Sequence, residues 1–205
     1  MKTLLLIIGT LLMAGCSLVG IRTSEEPQFK VLTEESNIEI RQYGDLLVAE
    51  TEVVADYEES SKIGFQRLAG YIFGKNASQK EIAMTAPVVR EKESEKIAMT
   101  APVLQEQADK KWVMSFVLPS AYTLETLPRP LDDNVIIKTV PGKKVASIRY
   151  TGFLSEEKFQ KKAEQLKNWL IENQYTLLSK PRSAGYDPPW TIPFLRRNEV
   201  LIDIQ

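Results

Sequence analysis

The sequence predicts an α+β fold, a mainly antiparallel sheet or distorted barrel with two helices packed on it. Three observations lead there. Short stretches of apolar–polar alternation, the period of strands with one buried face, recur along the chain between turn residues. Two longer stretches carry apolar residues at helical spacing behind a capping residue. The order of these elements divides the chain into two rough halves, each with strands, then one helix, then more strands. A length of 205 residues suits one large domain or two small ones. A hydrophobic share of 43% with 26% charged residues excludes collagen-like, disordered and polytopic membrane chains.

Within 28–54, Phe29 and Val31, then Ile38 and Ile40, are spaced by two, and Leu46-Leu47-Val48 follows a Tyr43-Gly44-Asp45 turn. The stretch 56–73 predicts a helix. Asp56 is its N-cap with Glu59 three residues on, and Gly74 is its stop. Ile63, Phe65, Leu68, Ala69, Ile72 and Phe73 supply the apolar residues. A Pro-containing loop covers 119–133, followed by a strand over Val135–Val140, a Pro141-Gly142 turn and a strand over Lys144–Tyr150. Ser155 caps a second helix, with Glu156 and Glu157 near its positive end and Phe159, Ala163, Leu166 and Leu170 on one face. A second loop follows this helix, proline-dense at Tyr186–Trp190, and precedes a last strand, Glu199–Ile204, in which Val200, Ile202 and Ile204 alternate.

Between the halves lies a repeat. Glu81-Ile82-Ala83-Met84-Thr85-Ala86-Pro87-Val88 recurs as Lys96-Ile97-Ala98-Met99-Thr100-Ala101-Pro102-Val103, and a degenerate copy follows as Lys111-Trp112-Val113-Met114-Ser115-Phe116-Val117-Leu118. The linkers Arg90–Glu95 and Gln105–Lys110 are charged and polar, so strand plus charged turn, three times, is the simplest reading. Symmetric turns would set Ala86 opposite Met99 and Met99 opposite Phe116, with Met84, Ala101 and Met114 in one row. Pro87 and Pro102 count against regular pairing there.

Composition also narrows the chemistry. Net charge is −1, without the basic surplus of a nucleic-acid binder. The chain has no histidine, which excludes imidazole acid–base catalysis, Ser-His-Asp triads and His-ligated metals. Its single cysteine can form neither an internal disulfide nor a thiolate cluster. No phosphate-binding glycine motif is present, and the pairs Glu58-Glu59 and Asp132-Asp133 read as surface charge. No catalytic constellation emerges, so a binding role is expected rather than an enzyme. Arg196-Arg197-Asn198-Glu199 is expected to fix the last strand through hydrogen bonds and an ion pair.

The doubled Met-Thr-Ala-Pro-Val motif, Met114-Ser115-Phe116-Val117-Leu118-Pro119 and the stretch from Tyr186-Asp187-Pro188-Pro189-Trp190 to Arg196-Arg197-Asn198-Glu199-Val200 together resemble the SOUL family of haem-binding proteins, over about residues 28–205. The resemblance implies a distorted antiparallel β-barrel of two pseudo-symmetric halves with two packed helices, shared with bacterial effector-binding domains. It further implies an apolar pocket for haem, a porphyrin or another flat hydrophobic molecule beside the first helix. Ile63, Phe65, Leu68 and Ile72 are then wall candidates, and Lys62 and Arg67 partners for propionates. Where relatives have been proposed to use an axial imidazole, this chain has Met84, Met99 and Met114 and several tyrosines, such as Tyr43, Tyr57 and Tyr71, as available substitutes, and non-coordinating apolar contact is the expected mode. The bland alternative is that these apolar residues are core and the charges solvated. A structural or partner-binding envelope protein without haem ligation is the competing function.

The N-terminus reads as an address. Lys2 precedes the apolar run Leu4–Ala14, too short to span a bilayer. Leu12-Met13-Ala14-Gly15-Cys16 resembles a bacterial lipobox. The resemblance implies a signal peptide at 1–15, lipidation of Cys16, and a tether at 16–27 before the domain at 28–205. The expected location is the bacterial cell envelope, anchored by lipid, on the periplasmic face of the outer membrane in a two-membrane organism.

Overall fold

The computed structural model describes residues 24–78, 94–108, 111–188 and 190–205. The chain opens with β1 (Phe29–Glu35), β2 (Ile38–Tyr43), β3 (Leu46–Val53), helix α1 (Tyr57–Ile72) and the two-residue β4 (Asn76–Ala77). It continues through β5 (Val103–Ala108), β6 (Lys111–Val117), the short β7 (Arg129–Pro130), β8 (Ile136–Val140) and β9 (Lys144–Tyr150). Helix α2 (Glu156–Glu172), β10 (Arg182–Gly185) and β11 (Asn198–Asp203) complete it. Nine strands form one curled antiparallel sheet in the order β1-β2-β9-β11-β10-β5-β6-β3-β8.

That order contains an internal symmetry. The path β3-α1-β5-β6 in the first half is matched by β9-α2-β10-β11 in the second, with β8 and β2 flanking β3 and β9 in corresponding places. The halves meet where β5 pairs with β10, Val103 opposite Gly185 and Gln105 opposite Ser183.

Each helix starts where its cap dictates. Asp56 Oδ1 accepts from the Glu59 amide at 2.8 Å, and Ser155 Oγ from the Lys158 amide at 3.4 Å. Both leave acidic residues in the first turn, favourable toward the helix dipole. Past the end of α1, Gly74 adopts φ +116°, a left-handed conformation that suits glycine. Helix α1 buries Leu68, Tyr71 and Ile72 against Ala49, Met114 and Phe116 of the sheet. Helix α2 buries Phe159, Ala163, Leu166 and Leu170 against Ala146, Ile148, Val200 and Ile202. Each fully buried Leu contributes about 1.5–3 kcal/mol. A third, smaller cluster of Ala101, Val145, Ala184, Tyr186 and Leu201 lies apart from both helices.

Four details differ from the sequence reading. Tyr43-Gly44-Asp45 does not close a hairpin: β2 pairs with β1 and β9, whereas β3 pairs with β6 and β8, so the chain crosses between halves there. Residues 96–102 form no strand, and β5 starts only at Val103. Val103, not Met99, therefore faces Phe116. The polar stretch expected to be a turn is a strand because Gln105 is satisfied by the helix above it. Ser61 Oγ donates to Gln105 Oε1 at 2.7 Å, and Gln105 Nε2 donates to Ser60 Oγ at 3.1 Å. The slip is an even number of residues, so Met114 and Phe116 keep the face toward α1. The pairings that involve Met84 and Ala86 lie outside the described residues. Finally, β10 falls inside the expected loop; its sequence, Arg-Ser-Ala-Gly, has no hydrophobic alternation to announce it.

Candidate functional site

Where β5 meets β10, a cleft of about 550 Å³ lies between α1 and the β9–α2 loop, within the usual range of small-molecule sites. One wall is α1, which presents Tyr57, Ser61, Lys62, Phe65 and Gln66. The facing wall is Phe153 and Leu154 from the β9–α2 loop, with Arg196 beside them. Val103, Gln105, Met114, Ser183, Gly185 and Asn198 form the floor. Glu58 and Asp187 also reach the lining.

Small residues keep the cleft open. A Cβ at Gly185 would fall 2.8 Å from Leu154 Cδ1, so a larger residue there would displace that wall. A Cβ at Gly64 would lie 3.1 Å from both Cβ and Sδ of Met114, showing that the thioether is packed against the helix. Asn198 Nδ2 donates to the Gly152 carbonyl at 2.8 Å and holds the β9–α2 loop to the start of β11. Arg196 Nε donates to the Thr191 carbonyl at 2.7 Å, and its guanidinium stands 5.0 Å over the Phe153 ring. Tyr57 packs edge-on to Trp112, with centroids 5.1 Å apart. Burial pushes the Tyr57 hydroxyl pKa up, against the opposing hydrogen bond to Ser183, so it is neutral at pH 7.

The residues expected from the sequence scatter. Lys62, Phe65 and Met114 line the cleft. Ile63 is half-buried on α1 and does not line it. Arg67 turns toward β3, donating to Thr51 Oγ1 at 3.3 Å and to the Glu52 carbonyl at 3.0 Å. Leu68 and Ile72 lie in the core beneath α1, and Met99 packs at its margin. Met84 and Cys16 lie outside the described residues. The wall from the second half was missed. Its one local signal was Phe153-Leu154, two large apolar residues just ahead of the N-cap Ser155, and only the folded chain sets them opposite α1.

A tetrapyrrole can be tested against this donor set. Phe65, Phe153, Leu154, Val103 and Met114 offer apolar surface for a flat macrocycle, and Lys62 at the exposed rim offers charge to a carboxylate. Iron is less well served. Met114 is 4% exposed with its sulfur turned onto Gly64, and Tyr57 is bonded to Ser183. Among the described residues no group of three or more Cys, Asp or Glu is arranged to hold a metal. The cleft thus fits the organic ring better than its metal.

The motif at 196–199 builds a separate, buried ion network. Glu199, fully buried, accepts from Arg41 Nη1 at 2.6 Å and Nη2 at 3.0 Å, from Arg197 Nε at 2.8 Å and from the Tyr186 hydroxyl at 2.8 Å. Burial alone would raise the Glu199 pKa. The hydrogen bonds and charges of Arg41, with Arg197 and Tyr186, outweigh it and hold the carboxyl down at about 2. Arg41, 1% exposed, is protonated throughout because Glu199 outweighs its own desolvation.

Fold and cleft together define a class: α+β proteins with a curled antiparallel sheet made of two similar halves, each covered by one helix. Within that class the chain belongs to the SOUL heme-binding protein family, whose model matches residues 24–94 and 89–203. It is 30% identical over 174 residues to heme-binding protein 2 of Homo sapiens, covering 84% of this chain and 80% of that one. It is 28% identical to heme-binding protein 1 of Xenopus laevis, covering 70% of each. Among solved structures it is similar to the EcmrR C-terminal domain, with a TM-score of 0.55 at 13% identity over 86% of this chain and 98% of that one. A hydrolase from Listeria innocua aligns with a TM-score of 0.53 at 10% identity, over 85% and 94% respectively. At such identities the two structures speak for the fold alone.

Proposed function

We propose that the chain is a non-catalytic binding protein that holds haem, a related tetrapyrrole or another flat hydrophobic molecule in the cleft between α1 and the β9–α2 loop. The observation that carries the reading is the cleft itself, about 550 Å³ with aromatic residues on both walls. Membership of the SOUL heme-binding family and the names of the curated relatives support it. The ring lies between Phe65 on one side and Phe153 and Leu154 on the other, and Lys62 meets a carboxylate at the rim. Contact with the plane, rather than a bond to iron, provides the affinity.

We also propose that residues 1–15 are a signal peptide and that Cys16 carries the lipid, which holds the domain at the bacterial cell envelope. No helix among the described residues is long and apolar enough to cross a membrane. The tether then ends at Ser24, because Glu25 and Glu26 are already bonded to the domain.

The test is a titration of residues 17–205 with haemin and with iron-free protoporphyrin, followed by absorbance and tryptophan quenching. Saturable binding of both with similar affinity, weakened by Phe65→Ala, is expected. Binding of neither overturns the reading. Binding of haemin alone with a shifted Soret band overturns the non-coordinating mode.

A further inference from the structure

The mouth of the cleft carries large apolar side chains in water. Phe153 is 59% exposed, Trp190 63% and Phe194 71%, with Leu154 at 42%. They are grouped rather than scattered. The Gly152 amide donates to the Pro193 carbonyl at 2.8 Å and ties the β9–α2 loop to the loop before β11. Arg196 bridges the same two loops, its guanidinium over Phe153 and its Nε on the Thr191 carbonyl. The Lys158 ammonium lies against Gly152, so two cations flank the aromatic residues. Exposed aromatic and aliphatic residues beside cations suit the boundary between lipid headgroups and acyl chains.

The N-terminal segment leaves the domain at this same end. The Ala101 amide donates to the Glu25 carbonyl at 2.9 Å, and the Ser120 amide to the Glu25 carboxylate at 2.9 Å. Glu26 pairs with Arg197 at 3.0 Å, one residue from Arg196. These anchors sit at the end of the sheet where Asn198 faces Tyr150 and Gly185 faces Val103, beside the aromatic loops. From Ser24 back to Cys16 the chain spans at most about 29 Å fully extended, at roughly 3.6 Å per residue. A lipid on Cys16 would therefore hold the attachment point at this end of the molecule within about 29 Å of the bilayer.

We infer that Phe153, Leu154, Trp190 and Phe194 form a membrane-docking surface that seats the mouth of the cleft on a lipid bilayer, so that a hydrophobic ligand passes between bilayer and cleft without crossing water. The orientation rests in part on the proposed lipid anchor; the affinity of the surface for lipid does not.

Residues 17–205 retain, among the described residues, every strand, both helices and all three apolar clusters while lacking the anchor, and so test the surface alone. Sedimentation with vesicles of phosphatidylethanolamine and phosphatidylglycerol is expected to carry the protein down. Trp190 emission shifts to the blue and is quenched by bromine-labelled acyl chains, and Trp190→Phe abolishes that quenching. The Trp190→Ala/Phe194→Ser double variant loses at least tenfold in partitioning yet titrates with haemin as the parent does. Val54→Ser/Leu178→Ser, two residues 74% and 60% exposed at the opposite end of the sheet, leaves partitioning unchanged. Should the double variant misfold, Phe153→Ser read by the same sedimentation replaces it, again with a severalfold loss expected. No partitioning, no acyl-chain quenching at Trp190, or an equal loss in the Val54/Leu178 variant overturns the inference. Vesicle binding without haemin binding leaves it standing while the ligand proposal falls, and haemin binding without vesicle binding does the reverse.

Discussion

Replacing Glu199 by Gln removes the fully buried carboxylate that pairs with Arg41 across β9. The cost can be worked two ways. A carboxyl whose pKa falls from 4.5 in the unfolded chain to about 2 in the folded one contributes about 3 kcal/mol at neutral pH, at roughly 1.4 kcal/mol per pH unit. Removing one partner of a buried pair typically costs about 3–5 kcal/mol, because the remaining charge is stranded; of its two carboxylate partners Arg41 would keep Glu39, at 2.7 Å. The two routes agree on a loss of at least about 3 kcal/mol. The pH dependence has a definite sign. The folded pKa is depressed, so the contribution is whole above pH 4.5 and drains away as pH falls toward 2. Urea unfolding of residues 17–205 and of Glu199→Gln, at steps from pH 7 to pH 2.5, measures it. The stability gap between the two chains should be large and level down to about pH 5 and then close. A gap below about 1 kcal/mol at pH 7, or one that stays constant between pH 5 and 2.5, refutes the reasoning. Glu52→Gln, which breaks the exposed pair with Lys111 at 2.7 Å, serves as control and should leave the unfolding midpoint unchanged.

The remaining predictions separate core from cleft. Leu68→Ala, at a fully buried position, should cost about 2–5 kcal/mol in urea unfolding. Phe65→Ala, 37% exposed on the same helix, should cost far less stability while weakening porphyrin binding severalfold in the quenching titration. Asp56→Ala removes the 2.8 Å cap of α1 and should cost about 1 kcal/mol by the same unfolding assay. Gly142→Ala would bring a Cβ to 2.6 Å from the Tyr43 carbonyl oxygen. The backbone crossover between halves must then shift, and the melting temperature should fall by several degrees.

Local signals carried much of the fold. Both helices begin at the caps read from Asp56 and Ser155, and Val200, Ile202 and Ile204 share the face they were assigned. These features depend on neighbours a few residues apart, which hydropathy and capping chemistry report. What failed depends on distant partners. Gln105 looked like a turn residue because its satisfaction by Ser60 and Ser61 spans more than forty positions of sequence. Strand β10 was invisible because Ser183 and Ala184 are buried by strands on both sides rather than by their own pattern. The site divides in the same way. Lys62, Phe65 and Met114 were legible from one helix and one strand face; Arg67, Leu68 and Ile72 were grouped with them because a helical stripe does not say which of its residues face core and which face a cleft.

The position of the cleft follows from the doubling. A β-α-β-β unit buries one face of its helix on its own strands, as Leu68 and Ile72 do in the first half and Leu166 and Leu170 in the second. When two such units join edge to edge through β5 and β10, each helix packs mainly on its own strands; α1 reaches the seam through Ser60 and Ser61 on Gln105 and meets α2 where Tyr57 stacks on Phe159, and the seam beyond these contacts is left as the cleft. The seam strands carry short side chains there, Ser183 and Gly185, so nothing fills the gap from below. The ion network of Arg41, Glu199 and Arg197 then acts at a distance. It fixes the start of β11, and through Asn198 and Gly152 the loop that carries Phe153 and Leu154. The buried charge is thereby connected, through Asn198, to the loop that forms the second wall of the cleft.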